Sequence, residues 1–400
     1  MTRFRALCML YASNALLMAV SSLTYPVIPL YIVGRGLGVT LAGFVTAASS
    51  LVSLVSQVLW GYVSDAIGRR HVVMLLGSVS MVLFSVLGLM LAGNIYGVVV
   101  SFILLGFGGS AIGVSSYALV ADLNPGELGK PMGWYWASAS FGWAFPLLFA
   151  GFLLRCYGII SIYVVVLVVS LALLAISTSL SFLLTPSNSL AVGGRRSFSA
   201  KPLLNVLSNA RFLVVYISSL LFMVGDVVKN IYVPQYYAYV AGLGEETATT
   251  TLSLASWFEI PAIIAISRLL QHGNTIYIYA FSLAAMSLYL YINTFVESYA
   301  GAAVAMAMYS MVWASYIIST SVLIVEVVDA DSRGTALGLN SSSFALASIV
   351  SNAVLGPTVE ILGYTQLFKT LSAMLFITCL TTLTTLRSLL KRQDVKRLKA

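Results

Sequence analysis

Residues 61–71 of the 400-residue chain read GYVSDAIGRRH. This polar and basic stretch lies between two long apolar runs, one ending near Ser64 and the next beginning near Val72. Gly61 lacks a Cβ and lets two helices approach closely, while Gly68 can supply the turn that reverses the chain. The stretch therefore predicts a tight connection between two apolar helices, with its arginines in water.

The chain around this connection is too apolar for a water-soluble protein. Of its residues, 60% are hydrophobic and only 8% are charged, whereas soluble domains average about 25% charged residues. The three cysteines are scattered along the chain and have neither disulfide nor metal-site spacing. Composition therefore excludes a soluble enzyme, a disordered chain and a disulfide-rich secreted domain.

Apolar runs of membrane-spanning length recur along the whole chain. A helix that crosses a bilayer needs about 20 mainly apolar residues. Such runs cover residues 6–33, 41–64, 72–92, 97–121, 132–154, 159–184, 212–240, 248–270, 276–295, 300–328, 336–356 and 366–386. They lack the alternation of polar and apolar residues that barrel strands show. We therefore predict an all-α polytopic membrane protein with twelve transmembrane helices.

The basic residues predict the orientation of these helices. If both termini are cytoplasmic, nearly all of the 21 Lys and Arg residues fall on the cytoplasmic side. Only Arg35, Arg155 and Lys369 then lie outside, and only Lys229 lies within a span. Positive charge concentrates on the cytoplasmic side of membrane proteins, so we expect a multi-pass protein of the cytoplasmic membrane. The net charge of +8 is then explained by the membrane surface and not by nucleic acid.

The helices divide six and six at a long polar segment. We predict a six-helix bundle over residues 1–184, a cytoplasmic linker over 185–211, a second bundle over 212–388 and a basic cytoplasmic tail over 389–400. A shift of 205 residues places Gly151 on Gly356 and Gly158 on Gly363. Two related halves are typical of secondary transporters, whose substrate site lies between the halves near mid-membrane.

Residues 61–70 resemble the helix 2–3 signature of the major facilitator superfamily, Gly-x-x-x-Asp-x-x-Gly-Arg-Arg, at every fixed position. Residues 331–338, at the inner end of helix ten, are a second similar segment. The resemblance implies the fold of that family in two pseudo-symmetric halves. It also implies that a set of inner-end residues takes part in gating, namely Gly61, Asp65, Gly68, Arg69, Arg70 and Arg333. The alternative is a turn with positively charged membrane anchors.

Prolines and glycines inside the spans predict bends. In helix five, Gly133, Gly142 and Gly151 recur every nine residues, which is similar to the antiporter signature of the same family but lacks its Gly-Pro step. Pro234 predicts a local break in helix seven. The hinge candidates are Pro26, Pro29, Gly142, Pro146, Gly151 and Pro234. Static kinks are the other interpretation.

Asp226, Lys229 and Glu259 lie well inside predicted spans, where a charge is costly and calls for a function. Asp226 and Lys229 are on one face of helix seven, Asn230 lies beside that face, and Glu259 is near the middle of helix eight. One lysine cannot fully neutralise two carboxylates, so one of them is suited to carry a proton. We predict that these four residues bind substrate or couple protons. Lys229 could also meet an anionic substrate directly, and a buried ion network that pins helices seven and eight is the alternative.

Other cavity candidates are aromatic or neutral. Tyr309, Trp313 and Tyr316 form a stripe on helix ten, which lines the cavity in the family, and Asn14 and Gln57 lie inside helices one and two. Each of them can contact a solute or pack against another helix.

The sequence predicts a secondary transporter, not an enzyme, that moves a small organic solute by alternating access and is driven by protons. We expect a monomer in the lipid bilayer with no cofactor, no metal and no nucleotide-binding motif. A facilitated uniporter and a drug-efflux antiporter are alternatives with the same fold. A membrane-embedded enzyme for lipid-linked substrates and a non-transporting sensor are alternatives of other classes.

Overall fold

The computed structural model describes residues 2–124, 129–184, 201–272, 274–329 and 332–399. Within these ranges every regular element is a helix. A short helix, Lys201–Ser208, precedes the seventh long helix. The long helices are α1 (Arg3–Gly34), α2 (Val39–Ile67), α3 (Arg70–Met90), α4 (Ile95–Asp122), α5 (Gly129–Tyr157), α6 (Ile159–Leu184), α7 (Ala210–Val240), α8 (Gly244–His272), α9 (Thr275–Asn293), α10 (Tyr299–Val327), α11 (Arg333–Leu362) and α12 (Tyr364–Lys399).

All twelve long helices have the length and apolar composition needed to cross a membrane, which confirms the predicted all-α fold with twelve spans. Large apolar side chains such as Phe182 and Ile361 are 76% and 80% exposed, as expected where helices face lipid. Of the predicted linker 185–211, residues 185–200 lie outside the described residues. Helix α12 continues to Lys399, through the predicted tail, and the tail side chains also lie outside the described residues.

Helices α1 and α7 depart from regular α-helix at their prolines. Helix α1 is interrupted at residues 25–26, between the α-helical segments Thr2–Thr24 and Val27–Gly34, because Pro26 has no N–H to donate. Helix α7 contains two π-helical turns, Val228–Tyr232 and Tyr236–Val240, on either side of Pro234. The expected local break at Pro234 takes the form of these two wider turns, and the span as a whole continues to Val240.

We name the two ends of the molecule after the predicted orientation. The inner end holds the start of α1, the end of α12 and the turn at Gly68, and the outer end holds the connections at residues 35–38 and 241–243. At the outer end α2 packs directly on α11. The two backbones are so close there that a Cβ built on Gly43 would overlap the backbone carbonyl of Asn352. The Thr40 N–H of α2 also donates to Glu360 Oε1 of α11 at 2.8 Å.

Two further helix pairs meet across the seam between the first six and the last six helices. Between α5 and α8, the Gly151 N–H donates to Thr249 Oγ1 at 2.9 Å. Between α1 and α7, the Tyr239 hydroxyl donates to the Leu30 carbonyl at 2.9 Å. The outer end is therefore closed by contacts between three pairs of helices.

The inner ends of α5 and α11 do not contact their partners across the seam at the two glycines on these faces. Gly133 lies on the face of α5 that also carries Gly151, but no described atom lies within 4 Å of a Cβ built on Gly133. A Cβ on Gly338, at the inner end of α11, likewise meets no described atom within 4 Å. The described conformation is thus closed at the outer end and open at the inner end.

Candidate functional site

The centre of α7 carries a hydrogen-bonded chain of three polar side chains. Asn230 Nδ2 donates to Asp226 Oδ2 at 3.0 Å, and Lys229 Nζ donates to Asn230 Oδ1 at 3.2 Å. All three residues are at most 5% exposed. Among the described residues Asp226 and Lys229 form no direct ion pair, so the Asn230 amide bridges the ammonium and the carboxylate.

Tyr309 of α10 encloses this chain from the opposite side. Its hydroxyl donates to Asp226 Oδ1, and Lys229 Nζ lies 4.6 Å from the centroid of its ring. A cation over an aromatic face is stabilised by the ring quadrupole. Both oxygens of Asp226 are therefore engaged, and Lys229 is held between Asn230 and the ring.

Glu259 lies on α8 at the seam between the first six and the last six helices. Ser140 Oγ of α5 donates to Glu259 Oε1 at 3.4 Å, and the Trp313 side chain of α10 lies beside the same carboxylate. Glu259 is half-buried, unlike Asp226. The Lys229 ammonium is close enough to interact electrostatically with both carboxylates. The structure thus brings together the four residues that the sequence singled out.

An aromatic wall lies on the outer side of Glu259. Trp143 is one turn outward of Ser140 on the same side of α5, and its ring centroid is 6.5 Å from that of Tyr25 on α1. The Tyr25 ring is in turn 6.3 Å from the ring of Phe344 on α11. We call Tyr25, Trp143 and Phe344 the aromatic wall. It joins three helices at the point where the seam closes.

The neutral cavity candidates occupy different surroundings. Asn14 is 1% exposed and donates from Nδ2 to the Tyr135 carbonyl at 2.7 Å, so it joins α1 to α5. Gln57 is exposed and lies two turns inward of Ser50 on the same face of α2. Since Ser50 Oγ is 2.7 Å from Ser348 Oγ of α11, Gln57 faces the inner opening between α2 and α11.

The aromatic stripe on α10 divides between two surroundings. Tyr309 and Trp313 contact the charged residues, as described above. Tyr316 is fully buried and stacks on Phe222 of α7, with ring centroids 3.8 Å apart and planes at 6°. Its place is therefore in the packing between α7 and α10.

Arg70 links the ends of three helices at the inner end. Its Nη1 lies 3.1 Å from Asp65 Oδ1, and its Nε donates to Asp122 Oδ2 at 2.5 Å. Asp122 ends α4 and was missed by sequence reasoning, because acidic residues at the ends of spans are common and carry no distinct signal. In this conformation two of the gate candidates, Asp65 and Arg70, therefore contact each other, and Arg70 also contacts α4.

The remaining gate candidates are the turn glycine and residues near it. Gly68 has φ +65° and ends α2 in the left-handed conformation, which a glycine adopts without strain. Arg69 and Arg333 are exposed, and Gly61 is half-buried. Asp331, in the second similar segment, lies outside the described residues.

Two of the hinge candidates are sites of close helix approach. A Cβ on Gly142 would overlap the Ala15 carbonyl of α1, and one on Gly151 would overlap the backbone of α8 at Glu246. Pro146 lies inside α5 and Pro29 lies inside the second segment of α1, and both segments continue past the proline.

Ser140 and the aromatic wall were also missed from the sequence. Serine and aromatic residues are frequent in these spans, so neither type stands out alone. A signal exists for Ser140, because it lies seven residues after Gly133 and eleven before Gly151, which places all three on one face of α5. Among the described residues, no group of three or more His, Cys, Asp or Glu could hold a metal ion.

Comparisons with known proteins bear on the whole chain. A family model described as Major Facilitator Superfamily matches residues 10–388. No curated protein sequence matches significantly. The structure is similar to that of the nucleoside transporter NupG (TM-score 0.74, 13% identity, covering 96% of this chain and 99% of that one). It is also similar to a POT family transporter in complex with 5-aminolevulinic acid (TM-score 0.76, 13% identity, 96% of both chains). A D-xylose-proton symporter has a TM-score of 0.74 at 14% identity, covering 95% and 97%. At such low identities these likenesses show a shared fold.

Proposed function

The chain belongs to the Major Facilitator Superfamily, and on that premise we propose a proton-coupled secondary transporter that moves a small organic solute by alternating access. Family membership makes the chain a multi-pass membrane transporter and not an enzyme. The finer statements, namely the solute, the coupling ion and the orientation, form the proposal. The observation that carries it is the set of charges at mid-depth, Asp226, Lys229 and Glu259, next to a seam that is closed at one end only.

Alternating access supplies the motion. Residues 1–184 and 212–388 would rock as two units joined by the linker 185–211, with both termini in the cytoplasm. The close contacts at Gly43 and Gly151 would open at the outer end while the inner ends approach. Asp65, Arg69, Arg70 and Arg333 would then close the inner end, and Pro26 and Pro234 would bend at the interruption of α1 and the widened turns of α7. Such a cycle needs one monomer only.

Proton coupling is assigned to the carboxylates. A carboxylate in a site of low dielectric constant, next to one lysine shared with a second carboxylate, is suited to take up and release a proton. Asp226 is buried inside α7, whereas Glu259 lies on the seam and changes its surroundings when the halves move. The D-xylose-proton symporter with the same fold is a proton-coupled protein by its description.

Transport assays in proteoliposomes test the proposal. Vesicles loaded with a pH-sensitive dye report proton movement when a panel of sugars, nucleosides, amines, amino acids and carboxylates is added outside. We expect coupled solute and proton fluxes that Asp226→Asn or Glu259→Gln abolishes. Solute flux that is unchanged in both variants at every pH would contradict the coupling role. An absence of flux for every solute class, with folded protein, would contradict transport.

A further inference from the structure

We propose that the transported solute is an organic cation, a protonated amine or a quaternary ammonium, which the Glu259 carboxylate and the surrounding aromatic rings bind. This inference rests on the proposed transport function and names the substrate class of the same site. It follows from the charges left uncompensated at mid-depth and from the side chains around them.

Asp226 and Lys229 belong to one hydrogen-bonded network. Asn230 bridges them with hydrogen bonds of 3.0 and 3.2 Å, and Asp226 accepts a further hydrogen bond from Tyr309. One positive and one negative charge are thus paired inside a network that is at most 5% exposed. Lys229 also interacts electrostatically with Glu259, but one ammonium between two carboxylates leaves one negative charge over, and Glu259 is the carboxylate that is not bonded into this network.

Glu259 has the position and the incompletely compensated negative charge of a cation-binding group. It forms no ion pair in the described part of the chain, and the side chains that donate hydrogen bonds to it are neutral, namely Ser140 at 3.4 Å and Trp313. It is half-buried at the seam, beside the space that is open to the inner end. A carboxylate kept partly away from water that shares one buried lysine with a second carboxylate is incompletely neutralised, and an incoming ammonium would supply the missing positive charge.

The rings near Glu259 favour the same solute charge. Trp313 lies beside the carboxylate, and Trp143 of the aromatic wall is one turn outward of Ser140. The faces of tryptophan and tyrosine attract ammonium ions, and several rings around one site form the cages that bind quaternary ammonium groups. Both tryptophans are only partly buried, so their faces are available to a solute.

An anionic solute fits the site less well. Lys229 would have to receive it, but this side chain is 4% exposed, is bonded to Asn230 and is covered by the Tyr309 ring. An anion would also be repelled by Glu259. The described residues therefore present the carboxylate to the seam and enclose the ammonium.

Three probes of nearly equal size separate the charge classes. Phenethylamine is a cation at neutral pH, phenethyl alcohol is neutral and phenylacetate is an anion. Binding to the purified full-length protein in detergent is measured by tryptophan fluorescence, because Trp143 and Trp313 lie at the site. We expect phenethylamine to bind at least about tenfold more tightly than either of the other probes.

Substitutions then assign the preference to Glu259. Glu259→Gln keeps the shape of the side chain and should weaken phenethylamine binding at least about tenfold, with little change for phenethyl alcohol. Glu326→Gln is the matched control, since Glu326 is exposed near the inner end of α10 and its loss should leave binding unchanged. Trp143→Leu is a second variant, which keeps an apolar side chain and should weaken cation binding selectively.

Two results would overturn the inference. One is equal binding of the cation and the neutral probe in the wild type. The other is preferred binding of phenylacetate that Lys229→Gln removes and Glu259→Gln preserves. Neither result contradicts the proposed transport function. That function is contradicted instead if no solute of any charge moves in proteoliposomes. Cation binding that depends on Glu259, together with an absence of flux, would support the binding inference and contradict transport.

Discussion

The first six and the last six helices have the same overall design, but their interiors hold different polar groups. Contacts at mid-depth within the first six helices are neutral, such as the Asn14 bond to the Tyr135 carbonyl at 2.7 Å and the contact of 2.8 Å between Ser78 and Ser177. The last six helices hold Asp226, Lys229 and Glu259 at comparable depth. Neutral hydrogen bonds join the helices in both halves, as Ser287 and the Ser372 carbonyl do at 2.7 Å in the second half, but among the described residues the charges at mid-depth lie in the second half.

The difference indicates a division of labour. A neutral hydrogen bond inside a membrane protein is worth on the order of 1 kcal/mol and serves mainly to hold helices together. A charge at the same depth costs several times more and persists where it has a function. We infer that the second half provides the chemistry of the site. The first half provides Ser140 and the rings Tyr25 and Trp143, which bound the space opposite Glu259.

The largest expected effect separates the two kinds of interior. Asp226→Ala leaves the Lys229 ammonium buried without its carboxylate, and we expect a loss of about 3–5 kcal/mol in the free energy of unfolding. The double variant Asp226→Asn/Lys229→Gln removes both charges and should recover most of that loss. Unfolding in mixed SDS micelles measures both. If Asp226→Ala lowers the free energy of unfolding no more than Asn14→Ala does, the distinction between a charged and a neutral interior is contradicted.

Glu259→Gln should lower transport activity strongly and change the stability of the protein little. Glu259 is half-buried at the seam, and within the described residues its hydrogen bond to the first half is the one from Ser140, so the substitution should change the free energy of unfolding by less than about 1 kcal/mol. Solute flux driven by a pH gradient should fall by at least about tenfold, because a charged hydrogen-bonding group is lost. Flux at the wild-type rate in proteoliposomes would remove Glu259 from the mechanism.

Asn14→Ala tests the neutral half alone. The Asn14 amide is buried and donates to a backbone carbonyl of α5, which also takes part in the helix, so the loss should be about 1 kcal/mol in the free energy of unfolding. The same unfolding titration measures it. A loss as large as that of Asp226→Ala would mean that a neutral hydrogen bond contributes as much to the free energy of unfolding as the charged network does.

The smallest expected effect concerns the outer end of the seam. Glu360 of α11 accepts from the Thr40 N–H at the start of α2, where a negative charge is stabilised by the helix dipole. Glu360→Gln keeps an acceptor and removes the charge, so the closed outer end should be populated about twofold to fivefold less. Spin labels at Leu37 and Ile361, which are exposed on the two sides of this seam, report the change as a longer distance. An unaltered distribution would show that the contact does not hold the outer end closed.

Much of the fold is predictable from local sequence. Span length depends only on runs of apolar residues, so the twelve helices follow from composition and order alone. Residues 61–71 add the turn at Gly68 and the arginines, which resemble a known signature. The charged residues are also predictable, because Asp226 and Glu259 are rare types within spans and are conspicuous there.

The partners of those charges depend on tertiary structure. The π-helical turn that contains Lys229 and Asn230 gives no signal beyond Pro234 nearby, so the amide bridge could not be foreseen. Ser140 and Trp143 acquire a role only when α5 packs on α8 and α1. The bond between Arg70 and Asp122 likewise requires that α3 packs on α4.

The most direct test of the central claim measures the two ends of the molecule together. Cys8, Cys156 and Cys379 are replaced, and spin labels are placed at Leu37 and Ile361 for the outer end and at Tyr62 and Ser341 for the inner end. Distances are recorded in lipid at acidic and alkaline pH for the wild type and for the Asp226→Asn/Glu259→Gln variant. We predict two populations whose inner and outer distances change in opposite directions, with a pH-dependent ratio in the wild type and a pH-independent ratio in the variant. A single population at both ends, or a pH response that survives the loss of both carboxylates, would contradict transport by alternating access coupled to these charges.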